Sequence, residues 1–135
     1  MKLLPIFADT SFFVALLNPR DALAASARQA ALKYPVPVVT TEFVLIEVAN
    51  FFSRPTSRDG YAEFVSKLQT DPQTKIVSAS SALSKRGLSL FANRPDKEWS
   101  LTDCISFEVM AEFGLTDALT ADHHFEQAGF RALLL

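Results

Sequence analysis

Glu47 lies in the middle of Phe43-Val44-Leu45-Ile46-Glu47-Val48-Ala49-Asn50-Phe51-Phe52, a stretch that is apolar on nearly every side. An ionised carboxylate in an apolar interior costs several kcal/mol unless it is paired or bound to a metal. Its helical neighbours three and four residues away are Phe43, Val44, Asn50 and Phe51, and none is a cation. A Lys or Arg brought in by the fold could answer it; a metal ion is the sharper reading. Three more acids have comparable settings. Asp9 ends the apolar run from Leu3 to Ala8 and is followed by Thr10 and Ser11. Asp103 falls in the first turn of a helix, where the helix dipole favours an anion. Asp122 ends the apolar run Ala118-Leu119-Thr120-Ala121. Each has a bland reading as a cap or turn residue. Together, two strand-end acids and two helix-borne acids could converge at the carboxyl edge of one sheet, where open α/β sheets place their ligand crevice. Like charges gathered there need a cation at neutral pH. Asp and Glu oxygens, with only two histidines in the chain, suit Mg²⁺ or Mn²⁺ and not Zn²⁺. The chemistry such a centre favours is hydrolysis of phosphodiesters.

Other reactive groups carry less. His123 and His124 are adjacent, and adjacent residues on a helix point about 100° apart, which argues against a shared zinc ion. Cys104, the single cysteine, allows no intramolecular disulfide or cysteine zinc site, and beside Ile105 and Phe107 it reads as a small buried residue. Asp21, Glu42 and Asp117 are secondary candidates, better explained as caps or surface acids.

The elements that must position the four acids alternate between strand and helix. Strands are expected over Leu3 to Ala8, Val36 to Val39, Lys75 to Val77, Ala118 to Ala121 and Phe130 to Leu135. Between them fall a helix through Phe12 to Leu17 capped by Thr10 or Ser11, and one from Ala22 to Lys33 capped by Asp21. A third, capped by Thr41, runs from Phe43 to Phe52, is expected to be buried all round and is closed by Pro55. Others cover Ser57 to Thr70, with Tyr61, Phe64, Val65 and Leu68 on one face, and the stretch from Ser80 or Ser81 to Ala92, with Leu83, Gly87, Leu88 and Phe91 inward. After the polar loop Asn93 to Ser100, Thr102 is expected to cap a helix ended by Gly114, and a short helix from His123 to Ala128 is broken by Gly129. The pattern is α/β, with a central, mostly parallel sheet of four or five strands and helices on both faces. A chain of 135 residues without linker or repeat reads as one domain, 1–135.

Hydrophobic residues make up 49% of the chain and charged residues 21%, a globular composition. Most of the 12 Phe are expected in the core. The net charge of -2 lends no support to nucleic-acid binding, although a local basic patch can coexist with acidic catalytic residues. Basic residues such as Arg20, Arg54, Arg58, Arg94 and Lys97 are scattered and read mostly as solvated surface. The apolar start meets Asp9 too soon for a signal peptide, and no stretch approaches a membrane span, so a cytosolic protein is expected.

With these residues in view, the chain resembles the PIN-domain family, in particular the VapC-type toxins of bacterial toxin–antitoxin pairs. The resemblance is carried by Phe7-Ala8-Asp9-Thr10-Ser11, Thr41-Glu42-Phe43-Val44-Leu45-Ile46-Glu47, Ser100-Leu101-Thr102-Asp103 and Leu119-Thr120-Ala121-Asp122-His123-His124-Phe125. It implies a PIN-like three-layer sandwich and a Mg²⁺- or Mn²⁺-dependent ribonuclease. The family's four acids fall on Asp9, Glu47, Asp103 and Asp122, as catalytic residues and metal ligands, with Thr10, Ser11 and Thr120 in support. It also implies an RNA substrate cut to leave a 3′-hydroxyl and a 5′-phosphate, a small antitoxin partner and a homodimer. Two rivals are weaker. A non-catalytic PIN-fold module that binds RNA or protein would not need intact acids. The other is a phosphoaspartyl enzyme or receiver: a haloacid-dehalogenase-like site would want a second Asp two residues after Asp9, where Ser11 stands, and a receiver would want an acidic pair near the start and a late strand-end Lys, neither of which is found.

Overall fold

The computed structural model describes residues 4–135. Leu3, where the first strand was expected to begin, lies outside them. Among the described residues, five strands form one sheet: β1 Ile6–Ala8, β2 Val38–Thr41, β3 Thr74–Val77, β4 Asp117–Leu119 and β5 Arg131–Ala132. Their order is β3-β2-β1-β4-β5, and every pairing is parallel. Between them run α1 Thr10–Leu17, α2 Ala24–Lys33, α3 Glu42–Asn50, α4 Pro55–Thr70, α5 Ser81–Asn93, α6 Leu101–Glu112 and α7 His123–Gln127.

The order decides where a ligand can sit. From β1 the chain steps through β2 to β3 on one side, then crosses to β4 and β5 on the other. Right-handed crossovers therefore put α1 to α4 on one face and α5 to α7 on the opposite face. The direction reverses between β1 and β4, which is the switch point where a crevice opens at the carboxyl ends of the strands. Asp9 follows β1 there and Thr120 follows β4.

Phe7 on the central strand is fully buried and pairs in register with Val39 and Ala118. Phe125 packs 6.3 Å from it and meets Phe107 edge-on at 4.9 Å, and Phe107 in turn meets Trp99 at 5.1 Å. Nine Phe are fully or partly covered; Phe51, Phe91 and Phe113 are exposed.

Several boundaries differ from the sequence expectation, each for a local reason. Pro55 opens α4, because a missing N–H costs nothing in a first turn. Ser100, and not Thr102, caps α6 by accepting the Asp103 N–H at 3.0 Å. Asp21 lies outside α2 and turns the chain before it, accepting the Leu23 N–H at 2.8 Å. Helix α3 is not buried all round. It packs on α1 and α6, and its outer side leaves Ile46 60% exposed. Leu88 and Phe91 of α5 likewise point outward, while Leu83 and Gly87 face inward. Strand β5 has only two ladder residues, yet Leu133 and Leu134 still donate to Ala118 O and Thr120 O, so the chain stays beside β4. Gly114 (φ +64) and Gly129 (φ +95) end α6 and α7 in a conformation that side chains with a Cβ rarely adopt.

Helices α5 and α6 touch at Gly87. A Cβ there would sit 2.3 Å from Ile105 Cγ1 and 3.2 Å from the Ile105 backbone. Gly87→Ala is therefore expected to destabilise the protein by about 1–3 kcal/mol, because the backbone contact cannot relax by a rotamer change alone. A shifted urea midpoint with unchanged slope checks this.

Candidate active site

Asp9 occupies the cap position of α1, but its side chain makes no cap bond. The caps that do close helices here are Thr41, Ser80, Ser100 and Asp122. The Asp9 carboxylate instead accepts a 2.8 Å hydrogen bond from Thr120 Oγ1, across the switch point. That hydroxyl has one proton, so the 3.3 Å contact between Ser11 Oγ and Thr120 Oγ1 must be donated by Ser11. Ser11 in turn accepts the Ala121 N–H, and Thr120 accepts the Asp122 N–H. This chain of hydroxyls ties the end of β1 to the end of β4 and fixes the orientation of Asp9. Thr120→Val keeps the shape but leaves the part-buried Asp122 N–H and the buried Asp9 carboxylate without their partner. A loss of about 1–3 kcal/mol is expected in chemical denaturation.

The other acids arrive from three further elements. Glu47, half-buried on α3, accepts a 2.5 Å hydrogen bond from the Thr10 hydroxyl. Asp103 enters from the first turn of α6 and Asp122 from the cap of α7. Asp9, Glu47, Asp103 and Asp122 line one cleft of ≈ 530 Å³, together with Thr10, Ser11, Asp21, Glu98, Ser100 and His124 among others. The four acids expected from the sequence thus share a cavity. Thr10, Ser11 and Thr120 are bonded to its acids or to one another. Asp21 joins the cleft as well as turning the chain. Glu98 was missed, since a polar loop has no periodicity to mark an inward residue. Glu42 and Asp117 lie elsewhere: Glu42 accepts the Ala79 N–H, and Asp117 faces Arg131.

The electrostatics follow from burial. Asp9 is 4% exposed and Asp103 6%. Burial pushes the Asp9 carboxyl up to about 7; the Thr120 hydroxyl and the Thr10 N–H pull the other way, and the Asp103 and Glu47 charges raise it further. Asp103 is raised too, by burial first and by Asp122 next, with His124 opposing. The cleft lining holds six carboxylates and one imidazole, and no Lys or Arg among the described residues. A divalent cation is the partner such a set lacks, and its oxygen donors fit a hard ion such as Mg²⁺ or Mn²⁺.

The histidines correct one expectation. His124 Nδ1 sits 3.3 Å from Asp122 Oδ1 and 3.4 Å from Asp103 Oδ2. The His123 and His124 rings lie 4.6 Å apart, and with Asp122 their donor atoms all fall within 4.8 Å of one another. Side chains on a helix lean toward its N-terminus, so both rings lean back toward the Asp122 cap instead of diverging.

The PIN domain model matches residues 6–131. The chain belongs to the PIN-domain family. Among curated PIN relatives, the 23S rRNA-specific endonuclease VapC20 of Mycobacterium tuberculosis is 32% identical over 126 residues, covering 93% of this chain and 95% of that protein. The crystal structure of VapC20, described as a sarcin–ricin loop cleaving toxin, superposes with a TM-score of 0.83 at 27% identity over 93% of this chain and 95% of that one. VapBC2 from Rickettsia felis, solved bound to a DNA fragment from its promoter, shares the PIN fold with a TM-score of 0.65 at 12% identity, over 94% of this chain and 96% of that one.

Proposed function

We propose that this PIN domain, spanning 1–135, is an endoribonuclease that cuts structured RNA and is the toxin of a type II toxin–antitoxin pair. The observation that carries the reading is the convergence of Asp9, Glu47, Asp103 and Asp122 in one cleft of a chain 32% identical to a ribosomal RNA endonuclease. These four residues would hold Mg²⁺ or Mn²⁺. A bound ion would lower the pKa of a water and offset charge on the attacking and leaving oxygens. The protein's own residues do the rest. Thr120 and Thr10 orient Asp9 and Glu47 through their hydroxyls. His124, between Asp103 and Asp122, sets the spacing of those two carboxylates. Ser11 is committed to Thr120 and the Ala121 N–H, so it serves as a brace and water is the nucleophile. Breaking the bond to the 3′ oxygen leaves a 3′-hydroxyl and a 5′-phosphate.

The described residues contain no helix long and apolar enough to cross a membrane. We place the protein in the cytoplasm, where its RNA would be, as a homodimer held inactive by a small antitoxin. A non-catalytic binding module has no observation in its favour, since the acids are intact and joined by hydroxyl braces.

The test is to incubate the purified protein with ribosomal RNA and with isolated rRNA hairpins, in Mg²⁺, in Mn²⁺ and in EDTA. Discrete cuts bearing 5′-phosphates, absent in EDTA, are expected. Cutting that persists in EDTA, or binding without cutting, would remove the metal-dependent nuclease reading.

A further inference from the structure

An acidic cleft repels a polyanion except where a bound cation answers it, so further RNA affinity calls for cations and aromatic faces outside it. The loop 94–100 between α5 and α6 offers both. Its last four residues alternate between two cavities. Glu98 and Ser100 face the acid cleft, while Lys97 and Trp99 line a second cavity of ≈ 300 Å³ with Phe91 and Arg94. The loop is a wall one chain thick between them.

The second cavity is built from fixed parts. The Arg94 guanidinium lies over the Trp99 ring, 4.9 Å from its centroid, and is held by two hydrogen bonds to Asp96 at 2.9 and 3.0 Å. Trp99 is 5% exposed and donates its indole N–H to Gln127 at 3.0 Å. Beside this rigid base, Lys97 has no ion pair among the described residues. Phe91, on the last turn of α5, is 45% exposed. An exposed ring next to a free ammonium and a braced guanidinium matches what an unstacked nucleotide needs: a flat surface for its base and cations for its phosphate.

We propose that this cavity is a nucleotide subsite for RNA flanking the scissile bond, with a base stacked on Phe91 and a phosphate against Lys97 and Arg94. This rests on the ribonuclease reading above. It gives a protein of net charge -2 a local grip on RNA without placing cations among the metal-binding acids.

The test uses an rRNA hairpin that the wild-type protein cuts, with Phe91→Ala, Phe91→Tyr and Lys97→Ala variants. KM is read from cleavage, and Kd from fluorescence anisotropy in an Asp9→Asn background. Phe91→Ala is expected to raise KM and Kd about tenfold, with the change falling in KM and not in kcat, and Phe91→Tyr to restore both. Lys97→Ala is expected to lower the slope of log Kd against log salt by about 0.7. Unchanged Kd, KM and salt slope, with RNA still cut, would overturn the subsite and leave the nuclease standing. Unchanged RNA affinity with an altered oligomeric state in size-exclusion chromatography would overturn it in favour of a contact between protein chains. Wild-type protein that neither binds nor cuts RNA would overturn both readings.

Discussion

Asp9→Asn is expected to lower RNA cleavage by at least about a hundredfold while making the metal-free protein more stable at neutral pH. The two effects have one cause. Asp9 is nearly fully buried and has no Lys or Arg partner in its cleft among the described residues. Its negative charge is therefore costly until a cation answers it. Removing the charge relieves that cost and removes a proposed metal ligand. Changing groups that merely orient metal ligands costs about ten- to a hundredfold in affinity or activity, and loss of a ligand should cost no less. Asparagine can still present an oxygen to the Thr120 hydroxyl, so the fold should tolerate it. Parallel cleavage assays and urea denaturation in EDTA check both halves. A variant that is inactive and also destabilised in EDTA would point to a structural Asp9.

The metal-free protein is expected to lose stability as pH rises from about 4 to about 7, and divalent ions to restore it. An unfolded aspartate titrates near 3.9, whereas the folded Asp9 is raised to about 7. Across that window the native state holds a proton that the unfolded state has given up, so stability falls as pH increases. Above about 7 the full penalty is present, on the order of a few kcal/mol. Asp103 is raised in the same sense and adds to the slope. A bound cation favours the ionised carboxylates and should flatten the profile. Urea midpoints from pH 4 to 8, with EDTA and with Mn²⁺, measure this. Asp9→Asn should lose most of the slope. A metal-free profile that rises between pH 4 and 7 would contradict the assignment.

The sequence was most legible where local chemistry and fold agree. An apolar run stopping at Asp9, and a Thr41 placed three residues before Val44 so that its hydroxyl accepts the Val44 N–H, are readable because strand end and cap are local events. Convergence of the four acids was readable because parallel strands bring their carboxyl ends to one edge. What stayed hidden depends on distant neighbours. Ser100 and Thr102 are both competent caps, and the path of the chain into α6 decides between them. The outward turn of Ile46, Leu88 and Phe91 depends on which helices cover α3 and α5. Glu98 enters the cleft from a loop whose alternation between two cavities has no sequence signal. Asp9 shows the limit most clearly. Its sequence position suggests a cap, and only the bond from the Thr120 hydroxyl, 111 residues away, shows that the carboxylate is turned across the switch point instead.

Asp9, Glu47, Asp103 and Asp122 are proposed to form one ion-binding centre. Titrating Mn²⁺ into the wild-type protein and into Asp9→Asn, Glu47→Gln, Asp103→Asn and Asp122→Asn, with free Mn²⁺ followed by electron paramagnetic resonance, tests it most directly. Saturable binding is expected in the wild type, weakened in every one of the four variants. Mn²⁺ binding that is absent from the wild type, or equal in all five proteins, would contradict it.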